Sequence, residues 1–357
     1  MKIGIFDPYL DTLGGGEKYM LSVALCLSEK HTVSIFWDTD RNSIKENAKK
    51  RFNFDLDKIT FAPNIFSTQT PLLHRGIEAH KYDVIVFLSD GAIPLLFKKN
   101  LIIHFQFPVE WVKQSLLTRI KFLCVKNVIC NSLFTKAHID KTFGIVSNVV
   151  YPPVGLPKKE YKKENIILNV GRFSVGKEGK NYKKQDILID FFKDMVKKYP
   201  VPSWKFVLII SVLDVDKGKI EILRGIAKGY PVEIIENPTF AKLWEMYGVA
   251  KIYWHASGFG EDLEKNPERA EHFGIATAEA MGAGAVPVVI NAGGQKEIVE
   301  NKKSGFLWST KKELLTQTIE LIQNSALLEK MSKNAIKRAQ EFAIDVFNSN
   351  IQKAVVV

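Results

Sequence analysis

The sequence has 357 residues, of which 46% are apolar, 25% charged and 11% aromatic. That is the composition of a soluble globular protein with ample material for a core, and the length suggests two domains. No apolar run approaches the ~18 residues of a membrane-spanning helix. Asp7 also interrupts the N-terminus too early for a signal peptide. The 50 Lys+Arg against 39 Asp+Glu give a net charge of +11. Such an excess suits nucleic acid, an anionic membrane or a phosphorylated small molecule. The charge is evenly spread: residues 1–157 hold 19 basic and 14 acidic side chains, and the remainder 31 and 25. No basic tail or domain stands out, and the local basic patch with interleaved aromatics that nucleic-acid binding predicts is missing. The clusters Lys49-Lys50-Arg51, Lys162-Lys163 and Lys183-Lys184 read as solvated faces. Cys26, Cys124 and Cys130 form no CxxC and sit in apolar contexts, so buried free thiols and a reducing, cytoplasmic location are expected.

Lys2–Phe6 is predicted as a first strand, followed by a turn at Gly14-Gly15-Gly16. Met20, Val23, Ala24 and Leu27 then recur at i, i+3, i+4 and i+7, a helix face. Thr32–Trp37, Val84–Leu88, Leu101–Phe105 and Val128–Cys130 are further strands. They are too continuously apolar for a half-exposed sheet, so both faces are expected to be covered. Trp111–Val125 mixes Trp111, Val112, Leu116, Leu117, Ile120 and Leu123 with Lys113, Arg119 and Lys121. A basic amphipathic helix of this kind either lies on an anionic bilayer or packs on its own domain; the second reading is slightly favoured.

Three prolines, a glycine and a charge run over Tyr151–Lys163 mark a linker. The alternation then restarts, with strands at Asn165–Val170, Trp204–Ile210, Val232–Ile235, Ile252–Trp254 and Val286–Ile290. A helix is expected at Ile187–Met195 and a final long one at Ala326–Phe342. Two successive α/β domains with parallel sheets follow.

Three features carry chemistry. Glycines at 14–16, between a strand and a helix, let a ligand approach the backbone near a helix N-terminus. A dinucleotide fingerprint fails there, because Tyr19 holds the sixth position; a nicotinamide-dependent oxidoreductase is thereby a remote alternative. Gly171-Arg172 ends a strand, where open α/β sheets bind ligands. With the lysines at 183 and 184 it offers a fork and a point charge suited to a diphosphate. The third feature is Glu271-His272-Phe273-Gly274, leading to Glu279 in an Ala/Gly-rich helix. With a helix starting near Phe273, its free N–H groups could hold phosphate. The two acids would repel phosphate and so suit sugar hydroxyls.

This third segment resembles the EX7E motif of the GT4 family of retaining nucleotide-sugar glycosyltransferases, which have the GT-B fold. Gly293-Gly294-Gln295-Lys296-Glu297-Ile298-Val299 with Gly305-Phe306 is similar to the family's GGxxEIV…G segment. Gly171-Arg172-Phe173 and Lys183-Lys184-Gln185-Asp186 resemble its phosphate-binding pair, with Lys183 in better register than Lys184. Gly14–Glu17 resembles its first-loop GGxE. Trp254-His255, Glu271–Gly274 and His104-Phe105-Gln106-Phe107-Pro108 look most like mannosyltransferases that build lipid-linked oligosaccharides. Two departures are the acidic insertion Gly258–Ala270 and Ser211-Val212-Leu213, which replaces a glycine-rich turn.

The resemblance implies two Rossmann-like domains facing across a cleft. Residues 1–155 would bind the acceptor and 156–338 the nucleotide sugar, with 339–357 crossing back onto the first domain. It implies Glu271, His104, Arg172 and Lys183 as catalytic residues. Gly15, Gly16, Gly171, Arg172, Lys183, Phe273, Gly274, Ile275 and Glu279 would contact the donor. Mannose from GDP-mannose, or a sugar from a UDP-sugar, would pass to a glycan or polyprenyl-linked acceptor with retained configuration. Neither a metal nor another cofactor is expected. The enzyme would be cytoplasmic, in possible peripheral contact with the inner face of an anionic membrane.

Overall fold

Two parallel sheets organise the chain. The computed structural model describes residues 1–112, 115–157, 159–173, 181–212 and 214–356. These divide into one unit of Met1–Pro153 with Ile344–Val357, and a second of Val154–Ala343. The boundaries thus lie at 153/154 and 343/344, against 155 and 338 from the sequence.

In the first unit the strands are β1 (Lys2–Phe6), β2 (Thr32–Phe36), β3 (Thr60–Ala62), β4 (Val84–Leu88), β5 (Leu101–Phe105), β6 (Val125–Cys130) and β7 (Asn148–Val149). Their order is β3-β2-β1-β4-β5-β6-β7. β4 and β5 are buried along their whole length, as their unbroken apolar runs require. On one face Ile3, Ile5, Val86 and Leu88 pack with Met20, Val23 and Leu27 of the helix Gly15–Ser28. On the other, Phe6, Phe87, Ile103 and Phe105 form an aromatic-rich layer.

The chain's last helix, Ile344–Val356, belongs to this first unit. It buries Phe347, Ile351 and Val355 at four-residue spacing. Phe347 meets Tyr19 edge-on at 5.2 Å, and Asn127 Nδ2 donates to the Ala354 carbonyl at 3.0 Å. The preceding helix ends at Ala339, with a 3₁₀ turn to Phe342, and stays in the second unit.

The second unit holds β8 (Glu164–Phe173), β9 (Lys205–Val212), β10 (Val232–Glu236), β11 (Ala250–His255), β12 (Val286–Ile290) and β13 (Phe306–Trp308), in the order β10-β9-β8-β11-β12-β13. Its core joins Phe192, Phe206, Trp254, Val288 and Trp308.

Three surface expectations are corrected. In the helix Leu116–Phe122 no residue is buried; Leu116 and Leu123 are 76% and 72% exposed. Only Phe122 of this helix packs on the unit's core, edge-on to Phe143 at 5.6 Å, while Leu116, Leu117, Ile120 and Leu123 stay exposed; Lys113 lies outside the described residues. Lys163 is not a solvated charge: its ammonium donates to the carbonyls of Ala250 at 2.8 Å and Ala283 at 2.6 Å, and burial lowers its pKa to about 8. Lys184 is buried as well.

Candidate functional site

In the second sheet the strand order reverses between β8 and β11. Ligands of open α/β sheets bind outside the carboxyl ends of strands at such a switch point. Gly171 and Arg172 lie near the end of β8, and His255 closes β11.

Glu271 joins two of these neighbours. Its Oε2 accepts from Lys183 Nζ at 2.7 Å and from His255 Nε2 at 2.9 Å. A carboxylate accepts, so His255 carries its hydrogen on Nε2, and its buried Nδ1 has no protein partner. Burial alone would raise the Glu271 carboxyl; the Lys183 charge and the His255 hydrogen bond outweigh it and hold the pKa well below the usual range. Glu271 is therefore a carboxylate at neutral pH. Both contacts fall on Oε2, so Oε1 keeps acceptor capacity. His255 stood in the sequence only as part of a family resemblance; its proximity to Glu271, 16 residues away, needs the strand end and the returning loop together.

The helix after Glu271 starts at Ile275, two residues later than expected, with Gly274 as its N-cap at φ +117°. That left-handed conformation favours glycine. Gly274 also has no room for a side chain, since a Cβ there would lie 2.5 Å from Gln295 Nε2. The Phe273 ring is core, edge-on to Phe342 at 5.3 Å, so only its backbone could meet a ligand. The glycine pair of the GGxxEIV-like segment packs against this backbone. Gly294 N–H donates to the Glu271 carbonyl at 2.8 Å, and a Cβ on Gly293 would lie 2.2 Å from that oxygen. Gln295 follows, fully buried with both amide atoms unpartnered. Within a quoted motif it had drawn no attention, because burial without partners is invisible in a sequence.

Glu279 is not part of the Glu271 cluster. It is buried inside the helix Ile275–Gly282 and lies against Tyr247, whose hydroxyl pKa is raised by burial and further by Glu279. The Gly155 backbone passes nearby: a Cβ there would lie 2.6 Å from Trp244 Cζ2 and 3.7 Å from Glu279 Oε1. Of the two lysines, Lys184 donates to Glu261 Oε1 at 2.5 Å, whose other oxygen accepts from Arg269 at 2.8 Å. Lys183 alone reaches Glu271. Ser211 and Val212 end β9 as ordinary strand residues, and Leu213 lies outside the described residues. Among the described residues, no group of three or more His, Cys, Asp or Glu is placed to hold a metal ion.

In the first unit, two motif segments meet. Gln106 Nε2 donates to the Gly16 carbonyl at 3.0 Å, and a Cβ on Gly16 would lie 2.2 Å from Gln106 Oε1. Glu17 is structural: its Oε2 accepts from the Gly14 N–H at 2.5 Å and the Thr12 hydroxyl at 2.8 Å, a cap on the helix that starts at Gly15. His104 is 1% exposed, its ring stacked on Tyr19 at 4.1 Å. Its Nδ1–H donates to the Ile129 carbonyl at 3.2 Å, leaving Nε2 a bare acceptor without a partner. Burial pushes its pKa down to about 3. Asp7, just past β1, is fully buried too; Oδ1 accepts from the Tyr9 N–H at 2.9 Å, and Oδ2 has no partner. Burial, then the Glu17 charge, raise its pKa to about 8. Asp7 gave no signal in the sequence beyond ending a strand.

The sequence profile of the family described as "Glycosyl transferases group 1" matches residues 157–338, slightly more than half of the chain. The chain belongs to this family. The matched segment contains Arg172, Lys183, His255, Glu271 and Glu279. The chain is 28% identical, over 64% of its length and 46% of the relative's, to a Dictyostelium discoideum GDP-Man:Man(3)GlcNAc(2)-PP-Dol alpha-1,2-mannosyltransferase. It thus spans about half of that relative. It is also 25% identical to the Alpha-1,3/1,6-mannosyltransferase ALG2 of the same organism, over 99% of this chain and 98% of that one. Among solved structures, Anabaena HepE in complex with UDP and glucose matches with a TM-score of 0.72 at 18% identity, covering 100% and 99% of the two chains. A Thermosynechococcus elongatus sucrose-phosphate synthase matches with 0.70 at 15%, covering 99% and 98%. Group 1 glycosyl transferase membership and these folds agree on the GT-B architecture.

Proposed function

We propose that this glycosyl transferase moves mannose from GDP-mannose to a lipid-linked glycan acceptor, with retention and without a metal. The observation that carries the reading is the Lys183–Glu271–His255 cluster at the switch point of the family-matched unit. The mannosyl preference rests on the relatives' printed activities.

As the bond from the sugar's anomeric carbon to the phosphate oxygen breaks, negative charge grows on the diphosphate. Arg172, Lys183 and the N–H groups at Gly274 and Ile275 stabilise it. Glu271 remains ionised and orients the sugar by accepting a hydroxyl on Oε1. Glu279 accepts from the ribose hydroxyls. Gly171 leaves backbone open to the donor, whereas the space beside Gly16 is taken by Gln106. His104 enters by its own chemistry: a neutral imidazole with a bare Nε2 accepts a sugar hydroxyl.

The acceptor reading extends to a membrane surface. Trp111, Leu116, Leu117, Ile120 and Leu123 are exposed beside Arg119 and Lys121, an apolar and basic pattern suited to an anionic bilayer. No described helix is long and apolar enough to cross a membrane. Thermal-shift and transfer assays across GDP-, UDP- and ADP-sugars test the donor. Stabilisation and turnover by GDP-mannose are expected, unchanged by EDTA. Preference for a UDP-sugar would replace the base assignment, and binding of no nucleotide sugar would overturn the reading.

A further inference from the structure

The insertion Gly258–Ala270 sits in a closed loop. It lies between His255 and Glu271, and these two side chains are hydrogen-bonded to each other. Phe259 anchors it in the core, edge-on to Phe191 at 5.5 Å and against Trp308 at 5.3 Å. Two of its charged groups then hold the turn that carries both lysines. Glu261 takes the Lys184 ammonium and the Arg269 guanidinium on its two oxygens. Arg269 in turn lies 5.6 Å from the centre of the Tyr182 ring.

This turn is held unusually firmly for a surface connection. Lys184 adopts φ +57°, a left-handed conformation that a non-glycine residue holds at a cost. Its N–H donates to the Asn181 carbonyl at 3.0 Å, and Asn181 Oδ1 accepts from the Lys183 N–H at 3.1 Å. The two ammonium groups meet different fates. The side chains of Lys184 and Glu261 are 9% and 6% exposed, whereas that of Lys183 is 36% exposed. A buried ion pair resists rearrangement, because separating it leaves a charge unpaired away from water.

We propose that the insertion is a positioning element for the donor diphosphate: Glu261 sequesters Lys184, so that Lys183 alone is presented beside Glu271. Glu261 acts through the lysines and touches no substrate. The inference rests on the reading that Lys183 meets the diphosphate.

Glu261→Gln keeps the side chain's shape and releases Lys184 to compete for Glu271. Its donor KM should rise about tenfold, the scale expected when a binding group is displaced. Glu261→Gln with Lys184→Met removes the competitor and should return KM to within about threefold of the parent. A loop that merely stabilises the fold would lower the melting temperature of Glu261→Gln and leave donor KM unchanged; an unchanged KM in that variant, or an unrescued double variant, overturns the proposal. Lys184→Met and Lys183→Met need no change at Glu261 and cover the case in which Glu261→Gln does not fold. Lys184→Met should hold KM near the parent value while Lys183→Met raises it tenfold or more. Equal losses from the two overturn the positioning inference alone. An unchanged KM for Lys183→Met overturns the donor reading of Lys183 together with the inference built on it.

Discussion

The two units bury polar groups in opposite ways. In the first, Asp7 and His104 lie at the sheet's carboxyl edge, each almost completely buried with one unpartnered atom. Burial neutralises both at pH 7, one with a pKa raised to about 8 and the other lowered to about 3. In the second, Glu271 and Glu261 are also shielded, yet each meets two cationic or ring N–H donors and stays ionised. Desolvation decides charge where a group stands alone, and pairing decides it where partners are in reach. The first unit therefore offers neutral hydrogen-bonding atoms suited to hydroxyls. The second keeps its carboxylates paired with cations, of which the Lys183 ammonium is the more exposed and the one left open to an anion.

The largest test removes the charged set. Glu271→Gln and Arg172→Ala should each lower kcat/KM by about 10²–10³-fold while the fold persists. Near-parental turnover with a normal melt would sink the role assigned to that residue.

The next tests concern the neutral pair, read as stability against pH. Asp7 has its pKa raised in the folded state, so its contribution is present below about pH 4 and is lost as pH rises towards 8. His104 has its pKa lowered, so its contribution is lost as pH falls from about 6.5 towards 3. The slopes oppose each other, each worth about 1.4 kcal/mol per pH unit where one proton is exchanged on unfolding. Denaturant titrations of Asp7→Asn should show the decline between pH 6.5 and 8 removed. The same titrations of His104→Gln should unmask a steeper decline between pH 4.5 and 6.5. Unaltered slopes in either variant would mean that the corresponding group is not neutralised by the fold.

The smallest effect belongs to the exposed helix. Leu116→Glu with Leu123→Glu should reduce pelleting with anionic vesicles severalfold at low salt, without changing the melt, because both side chains are already in water. Equal pelleting of parent and variant would detach this helix from any membrane role.

Much of the architecture was legible in the residues. Continuous apolar runs at Val84–Leu88 and Leu101–Phe105 require covering on both faces, and both strands are fully buried. The glycines at 293 and 294 were legible as part of a family-like segment, and the structure gives their reason: the backbone of Glu271–Phe273 passes too close for a side chain. The segments holding Arg172, Lys183 and Glu271 stood out by their strand ends, glycines and paired acids, and a family resemblance supplied their roles.

Three-dimensional placement decided the rest. The Leu116–Phe122 helix has an amphipathic pattern that would serve packing or a bilayer equally; the fold seats Phe122 on the core and leaves Leu116, Leu117 and Ile120 exposed. Lys183 and Lys184 are the same residue type one position apart, separated in the sequence only by the register of a family resemblance. A left-handed backbone at 184 and a carboxylate arriving from 77 residues away bury one and leave the other at Glu271. The protonation of Asp7 and His104 likewise depends on what surrounds them in space. Periodicity and glycine spacing are local properties that a sequence displays directly, whereas desolvation and charge pairing are sums over neighbours that only the folded chain brings together.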